Sequence, residues 1–207
     1  MRFPVRTMKV NIFVLDKDPV TAARTQCDKH VVKMIVESAQ MLCTTHRYFD
    51  GKEWIDRSKN GRKITRWSHW TDPPKASNHP VLYKSVMLKH PCTIWTCESL
   101  ENYDWHTEHA LELCEEYTRR YGKTHATERL IRWCKKHIPM NSNDRQTSKG
   151  LTPFAQAMPD HYKVSGDAVQ AYRNYYIGDK ARFAKWKESS LVPEWFSEGV
   201  LESELVN

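Results

Sequence analysis

The sequence predicts a mainly α protein: a single-domain helical bundle with a short N-terminal extended segment and a small β-hairpin insertion. Several long stretches repeat apolar residues every three to four positions. Between two mixed runs sits Asn60-Gly61, a dipeptide that accepts the positive φ angles of a tight hairpin turn. No internal repeat or low-complexity tract interrupts the pattern. At 207 residues, 40% hydrophobic and with eight tryptophans, the chain can bury a sizeable core in one domain.

Residues 9–15, KVNIFVL, read as a buried strand or an extended lead-in segment. Asp18-Pro19 then starts a helix with proline at its first position, expected to run from Val20 to His46. The hairpin insertion lies near 52–70 and a loop follows at 71–80. A helix is expected over Val81–Lys89, interrupted by Pro91, and a long one over Thr93–Tyr121, stopped by Gly122. A shorter helix should span Thr127–His137. The polar stretch PMNSNDRQTSKGLTP after it is the candidate mobile loop. One helical turn is expected at Phe154–Met158, and a final helix at Asp167–Trp186, bent at Gly178. Residues 1–187 form the domain in this reading, and 188–207 an acidic C-terminal tail.

The formal charge is +7, with all 32 basic residues and 20 of the 25 acidic ones before residue 188, so the body carries +12. Such an imbalance suits a polyanionic partner, nucleic acid above all. No apolar run is long enough to span a membrane. The opening MRFPVRTMKVNIFVLD lacks the long apolar stretch and cleavage site of a secretory leader. Six cysteines form no Cys-x-x-Cys pair and read as reduced thiols, so a cytoplasmic protein is expected. Phosphate-cradling glycine loops and a Gly-x-Ser-x-Gly elbow are absent, which argues against NTPase, kinase, dinucleotide and α/β-hydrolase chemistry.

The stretch DKHVVKMIVESAQ is apolar nearly all round. On a wheel of 100° per residue, Lys33, Glu37 and Gln40 fall within about 80° of His30, a narrow polar strip on a helix that should be largely buried. A base, an amine and a carboxylate in a low-dielectric slot are groups whose proton affinities shift most. A buried ion pair beside a hydrogen-bonded histidine would give the same pattern. The hairpin brings Arg57, Lys59, Arg62, Lys63 and Arg66 together with Trp67 and Trp70, the mixture that phosphate contact plus base stacking or wedging needs. A solvated hairpin whose tryptophans cap the core is the plainer alternative. Among ten histidines, His106 and His109 share a helical face, and a set with His79, His90, Glu37 or Asp104 can be imagined. No metal-binding spacing supports it, so neither a metal nor another cofactor is expected. Tyr172, Arg173, Tyr176, Arg182 and Trp186 on the final helix could stack bases or fill the core.

His30 and Glu37, seven residues apart within CDKHVVKMIVES, resemble the histidine and catalytic glutamate of the pyrimidine-dimer DNA glycosylase superfamily, whose type member is a phage endonuclease V. HPCTIWTCESLENYDWHTEHALELCEEYTRRYGK is the second point of similarity, so the likeness covers roughly residues 9–123. The chain also looks like a group of phage-borne proteins without an assigned activity. The resemblance implies an enzyme that flips a damaged or modified pyrimidine nucleotide out of double-stranded DNA and cleaves its glycosidic bond, with AP-lyase strand cleavage as a further step. Glu37 would stabilise the oxocarbenium-like sugar and assist proton transfer, and His30 would contact phosphate or orient the nucleotide. The family nucleophile is the N-terminal α-amine; here Met1-Arg2 and Met8-Lys9 depart from that pattern, and Lys33 is the substitute amine. The alternatives are a non-catalytic protein that binds nucleic acid or a host factor, and a metal-dependent nucleotide-modifying enzyme.

Overall fold

The computed structural model describes residues 10–73, 79–139, 149–188 and 191–205. The protein is mainly α, with seven α-helices and one two-stranded antiparallel hairpin among these residues. The helices are α1 (Pro19–Arg24), α2 (Asp28–Asp50), α3 (Pro91–Glu98), α4 (Leu100–Tyr121), α5 (Glu128–Lys136), α6 (Ala168–Tyr175) and α7 (Glu194–Leu205). The strands are β1 (Lys52–Arg57) and β2 (Lys63–Ser68), with Lys52 opposite Ser68 and Arg57 opposite Lys63. α2 packs against α3, α4 and α5, and this helical core is closed by the extended run 10–15, whose Val10, Ile12, Phe13, Val14 and Leu15 are buried. No helix among the described residues is long and apolar enough to cross a membrane. All six cysteines are free thiols.

The predicted helix over 20–46 is divided. Asp18 caps α1 by accepting the Thr21 N–H, but the chain breaks at Thr25–Cys27 before α2 begins, and α2 then continues to Asp50. Arg120, from α4, causes the break. Its guanidinium donates to the carbonyl oxygens of Arg24 and Gln26, both at 2.9 Å, and so satisfies acceptors that a continuous helix would have used.

The helix expected over 81–89 does not form. Arg47 of α2 donates to the carbonyls of Leu82 (2.8 Å) and Tyr83 (2.7 Å), while the Thr44 hydroxyl takes the N–H of Val86 and lies 3.1 Å from its carbonyl. With its backbone groups bonded to side chains of α2, this run stays irregular. The long helix expected over 93–121 starts earlier, at Pro91, and breaks at Ser99, whose extended backbone and hydroxyl cap α4 by accepting the Asn102 N–H. Residues 154–158 are not helical either: Ala155 and Ala157 offer their carbonyls to Tyr172 and Asn11.

The final helix ends at Tyr175 and passes into a π turn, Tyr176–Lys180, that contains Gly178. Beyond it α7 is more than an acidic tail, since Phe196 is buried 4.8 Å from the Trp186 ring. The expected polar loop falls largely outside the described residues, which resume at Lys149.

The hairpin forms around Asn60-Gly61, but its turn is a longer loop closed by the Ser58 N–H to the Arg62 carbonyl, in which Gly61 alone of the pair takes a positive φ, +73°. Gly51 joins it to α2. A Cβ there would stand 2.2 Å from the Arg47 carbonyl oxygen and 2.9 Å from that of Ser68, both backbone atoms that cannot swing aside. Gly51→Ala is therefore expected to destabilise the fold by about 1–3 kcal/mol, the usual range for overpacking. A denaturation midpoint equal to the native one would show that the junction has room.

Candidate functional site

The polar strip of α2 divides into two halves. In the C-terminal half Thr44 and Arg47 are committed to the 82–86 run, and Arg47 also grips Asp72 through both terminal nitrogens, at 2.6 and 2.8 Å. Thr44 and Arg47 are therefore structural residues. In the N-terminal half Glu37 is buried, with one carboxylate oxygen accepting the Asn11 N–H at 3.0 Å and the other 2.6 Å from Lys33 Nζ. Asn11 is itself fixed: its amide donates to the Ala157 carbonyl, and its oxygen lies 2.9 Å from the Tyr172 hydroxyl, whose one proton it shares with the Ala155 carbonyl. Burial raises the Glu37 carboxyl above its ordinary range, while the bond from Lys33, its charge and the Asn11 N–H pull in the opposite direction.

Lys33 does not lie in a dry slot. Its side chain is 60% exposed, and its ion pair with Glu37 marks where the buried carboxylate meets solvent.

His30 is buried, stacked on Phe13 at 4.3 Å, edge-on to Phe183 and hydrogen-bonded through Nδ1 to the Tyr176 hydroxyl. Burial, then the charges of Lys180, Lys33 and Lys29, push its pKa down to about 3. The neutral ring therefore supplies no cation to a phosphate, and His30 and Glu37, two turns apart, share no bond. The cations in the vicinity are the three lysines that depress it. Lys29 lies 4.7 Å over the Phe183 ring, and Lys180 sits 4.0 Å over Tyr175 while donating to its hydroxyl. Lys180 reaches this end of α2 from the π turn, a long-range approach that the sequence alone did not reveal.

In the hairpin Arg57, Lys59, Arg62 and Lys63 are exposed, whereas Arg66 turns toward Asp56 at 3.3 Å. Trp67 is half-buried beside Tyr48, and Trp70 remains 46% exposed next to Trp133 and His79. Thirteen residues of α2 separate Glu37 from the root of the hairpin, about 20 Å of helix. The two sets of predicted residues are thus on one helix and its extension, but not in one cluster. The aromatic residues of the final helix serve the core: Tyr172 and Tyr176 are fully buried.

The imagined histidine sets do not assemble. His106 pairs with Thr96 and His109 with Gln26, both inside the core, and Asp104 pairs with Lys135. Among the described residues one group of three brings its donor atoms within 4.8 Å of one another: His46, Asp50 and His69. It borders a cavity of about 360 Å³ lined by His46, Asp50, Trp70, Trp133, Lys136 and His137. His46 and Asp50 are four residues apart on α2, a spacing that could have been read as a paired-ligand signal. His69 arrives only because the hairpin folds the chain back.

No protein-family model matches this chain, and neither a curated protein nor a solved structure is significantly similar to it.

Proposed function

We propose that the protein is a DNA-binding enzyme of the base-excision type, in which Glu37 is the acid–base carboxylate for cleavage of a pyrimidine glycosidic bond. The supporting observation is the state of that carboxylate. It is buried, raised in proton affinity, and reaches solvent beside the Lys33 amine, with Lys29 and Lys180 as neighbouring cations. A carboxyl poised above its usual range holds a proton closer to neutral pH, as proton transfer to a departing base needs. The lysines would hold phosphates, and the exposed hairpin cations and Trp70 would engage the duplex farther along. A span of 20 Å corresponds to about six base pairs at 3.4 Å each, so one duplex can reach both. In this reading His30 positions Phe13 and Tyr176 rather than the nucleotide.

The test is borohydride trapping on duplexes that carry an abasic site or a cyclobutane pyrimidine dimer. The native protein is expected to form a covalent adduct, through Lys33 or the α-amine, and peptide mapping decides which. Glu37→Gln should keep salt-sensitive duplex binding and lose turnover by at least about 100-fold. Native turnover in the Glu37→Gln protein would remove the proposal. Duplex binding without adduct or base release in the native protein would favour the non-catalytic binder.

A further inference from the structure

We infer that His46, Asp50 and His69 form a binding site for a divalent first-row transition-metal ion whose open coordination positions face the cavity beneath Trp70. This inference does not rest on the base-excision reading and concerns the opposite half of α2.

The hydrogen bonds around His46 set its tautomer. The Tyr103 hydroxyl donates to the Cys134 carbonyl oxygen at 2.9 Å, so toward His46 Nε2, 2.8 Å away, its oxygen acts as acceptor. The proton of the neutral ring then sits on Nε2 and the lone pair on Nδ1. That Nδ1 lies 3.7 Å from Asp50 Oδ2. A cation held there, a proton or a metal, would be shared by the ring and the carboxylate. Ligands at bonds of about 2.0–2.2 Å around a tetrahedral ion lie about 3.3–3.6 Å apart, close to the spacing present.

His69 also fits such a site. It is 4% exposed, and its Nε2 is buried with no hydrogen-bond partner, an unusual cost for a polar atom. Its Nδ1 lies 2.9 Å from the Thr71 hydroxyl and 3.2 Å from the Thr71 nitrogen, and the ring tautomer decides between them: an unprotonated Nδ1 accepts the Thr71 N–H, a protonated one gives that bond up. When Nδ1–H donates to the Thr71 oxygen, Nε2 presents a lone pair to the group. Tyr103 and Thr71 would be the outer partners that fix the two ring tautomers, as such partners do at metal-ligating histidines. Two imidazoles and one carboxylate suit zinc, iron(II), cobalt or manganese better than calcium or magnesium, which prefer oxygen donors. With three protein ligands on one side, the remaining positions open toward Trp133, Lys136 and His137.

The full chain, stripped with a chelator and dialysed, would be titrated with Zn²⁺ by calorimetry and with Co²⁺ by visible absorption. One equivalent is expected per chain. The cobalt form should show d–d bands without the near-ultraviolet thiolate charge-transfer band that the neighbouring thiols Cys43 and Cys134 would give. His69→Ala and Asp50→Asn should each weaken Zn²⁺ binding at least 100-fold, while His161→Ala, at an exposed histidine elsewhere, keeps native affinity. Should a variant fail to fold, the native cobalt protein still decides the matter, because two histidine ligands give two paramagnetically shifted imidazole N–H resonances. Absence of stoichiometric uptake, a thiolate band, or native affinity in both folded ligand variants would overturn the inference.

Discussion

Acidification from pH 7 to pH 5 is expected to cost the fold about 4 kcal/mol through His30 and His109 alone. Both rings are buried and both pKa values are pushed down to about 3: His30 by desolvation and then the surrounding lysines, His109 by desolvation. In the unfolded chain each histidine takes up its proton near 6.5, so between that value and about 3 the unfolded state binds more protons. Stability therefore rises with pH in this window and is lost on acidification. At pH 5 the deficit is about 1.5 pH units for each ring, or about 2 kcal/mol. His106, also lowered by burial and by the nearby His109, adds in the same direction. Glu37 works against them, since a raised carboxyl favours the folded state on acidification, but it is one group against three. Set against a total stability of about 5–15 kcal/mol, the loss is large. With a urea slope near 2.5 kcal/mol/M, the midpoint should fall by about 1.5 M between pH 7 and pH 5. A midpoint that stays constant would mean that these rings are not buried in neutral form.

Arg120→Ala should lower the melting temperature by about 6–20 °C. Arg120 is buried, with Nε 2.8 Å from Glu116, Nη1 bonded to the Gln26 carbonyl and to Asp28, both at 2.9 Å, and Nη2 bonded to the Arg24 carbonyl. Truncation leaves the fully buried Glu116 with only the half-exposed Arg119 as countercharge, and strips two carbonyls of their donor. Breaking a buried ion pair from one side costs about 3–5 kcal/mol, and a chain of this size loses about 2–4 °C per kcal/mol. Arg120→Lys keeps the charge but cannot reach four acceptors with a planar fork, so an intermediate loss is expected. Thermal melting followed by circular dichroism reads both. A change of less than about 2 °C for Arg120→Ala, the size of a surface effect, would assign the break after α1 to some other cause.

Some features of this fold were legible in the sequence and others were not. The hairpin was, because a turn signal between two strand-like runs is local, although the turn formed spans Ser58–Arg62 and only Gly61 of the Asn60-Gly61 pair takes a positive φ. The mainly α character was, because apolar periodicity is a local property. The break at Thr25–Cys27 was not: it depends on a guanidinium more than 90 residues away in the chain. The irregular run 81–89 carries an acceptable helical pattern, yet Arg47 and Thr44 take its backbone groups from outside. At the candidate site, periodicity picked out the strip on α2 and the burial of Glu37, but it could not tell that Lys33 faces solvent or that Lys180 comes alongside. The four-residue spacing of His46 and Asp50 could be read on a helix but was not singled out, and His69 could not, since its approach depends on the path of the hairpin.

One helix carries both of the proposed centres. From Glu37 to His46 is nine residues, about 13–14 Å of rise along an unbroken α-helix. A hinge between two domains would let such centres drift, whereas a shared rod holds their separation as fixed as its own backbone hydrogen bonds. A polymeric ligand that engages both must therefore meet them at that interval, and α2 acts as the gauge.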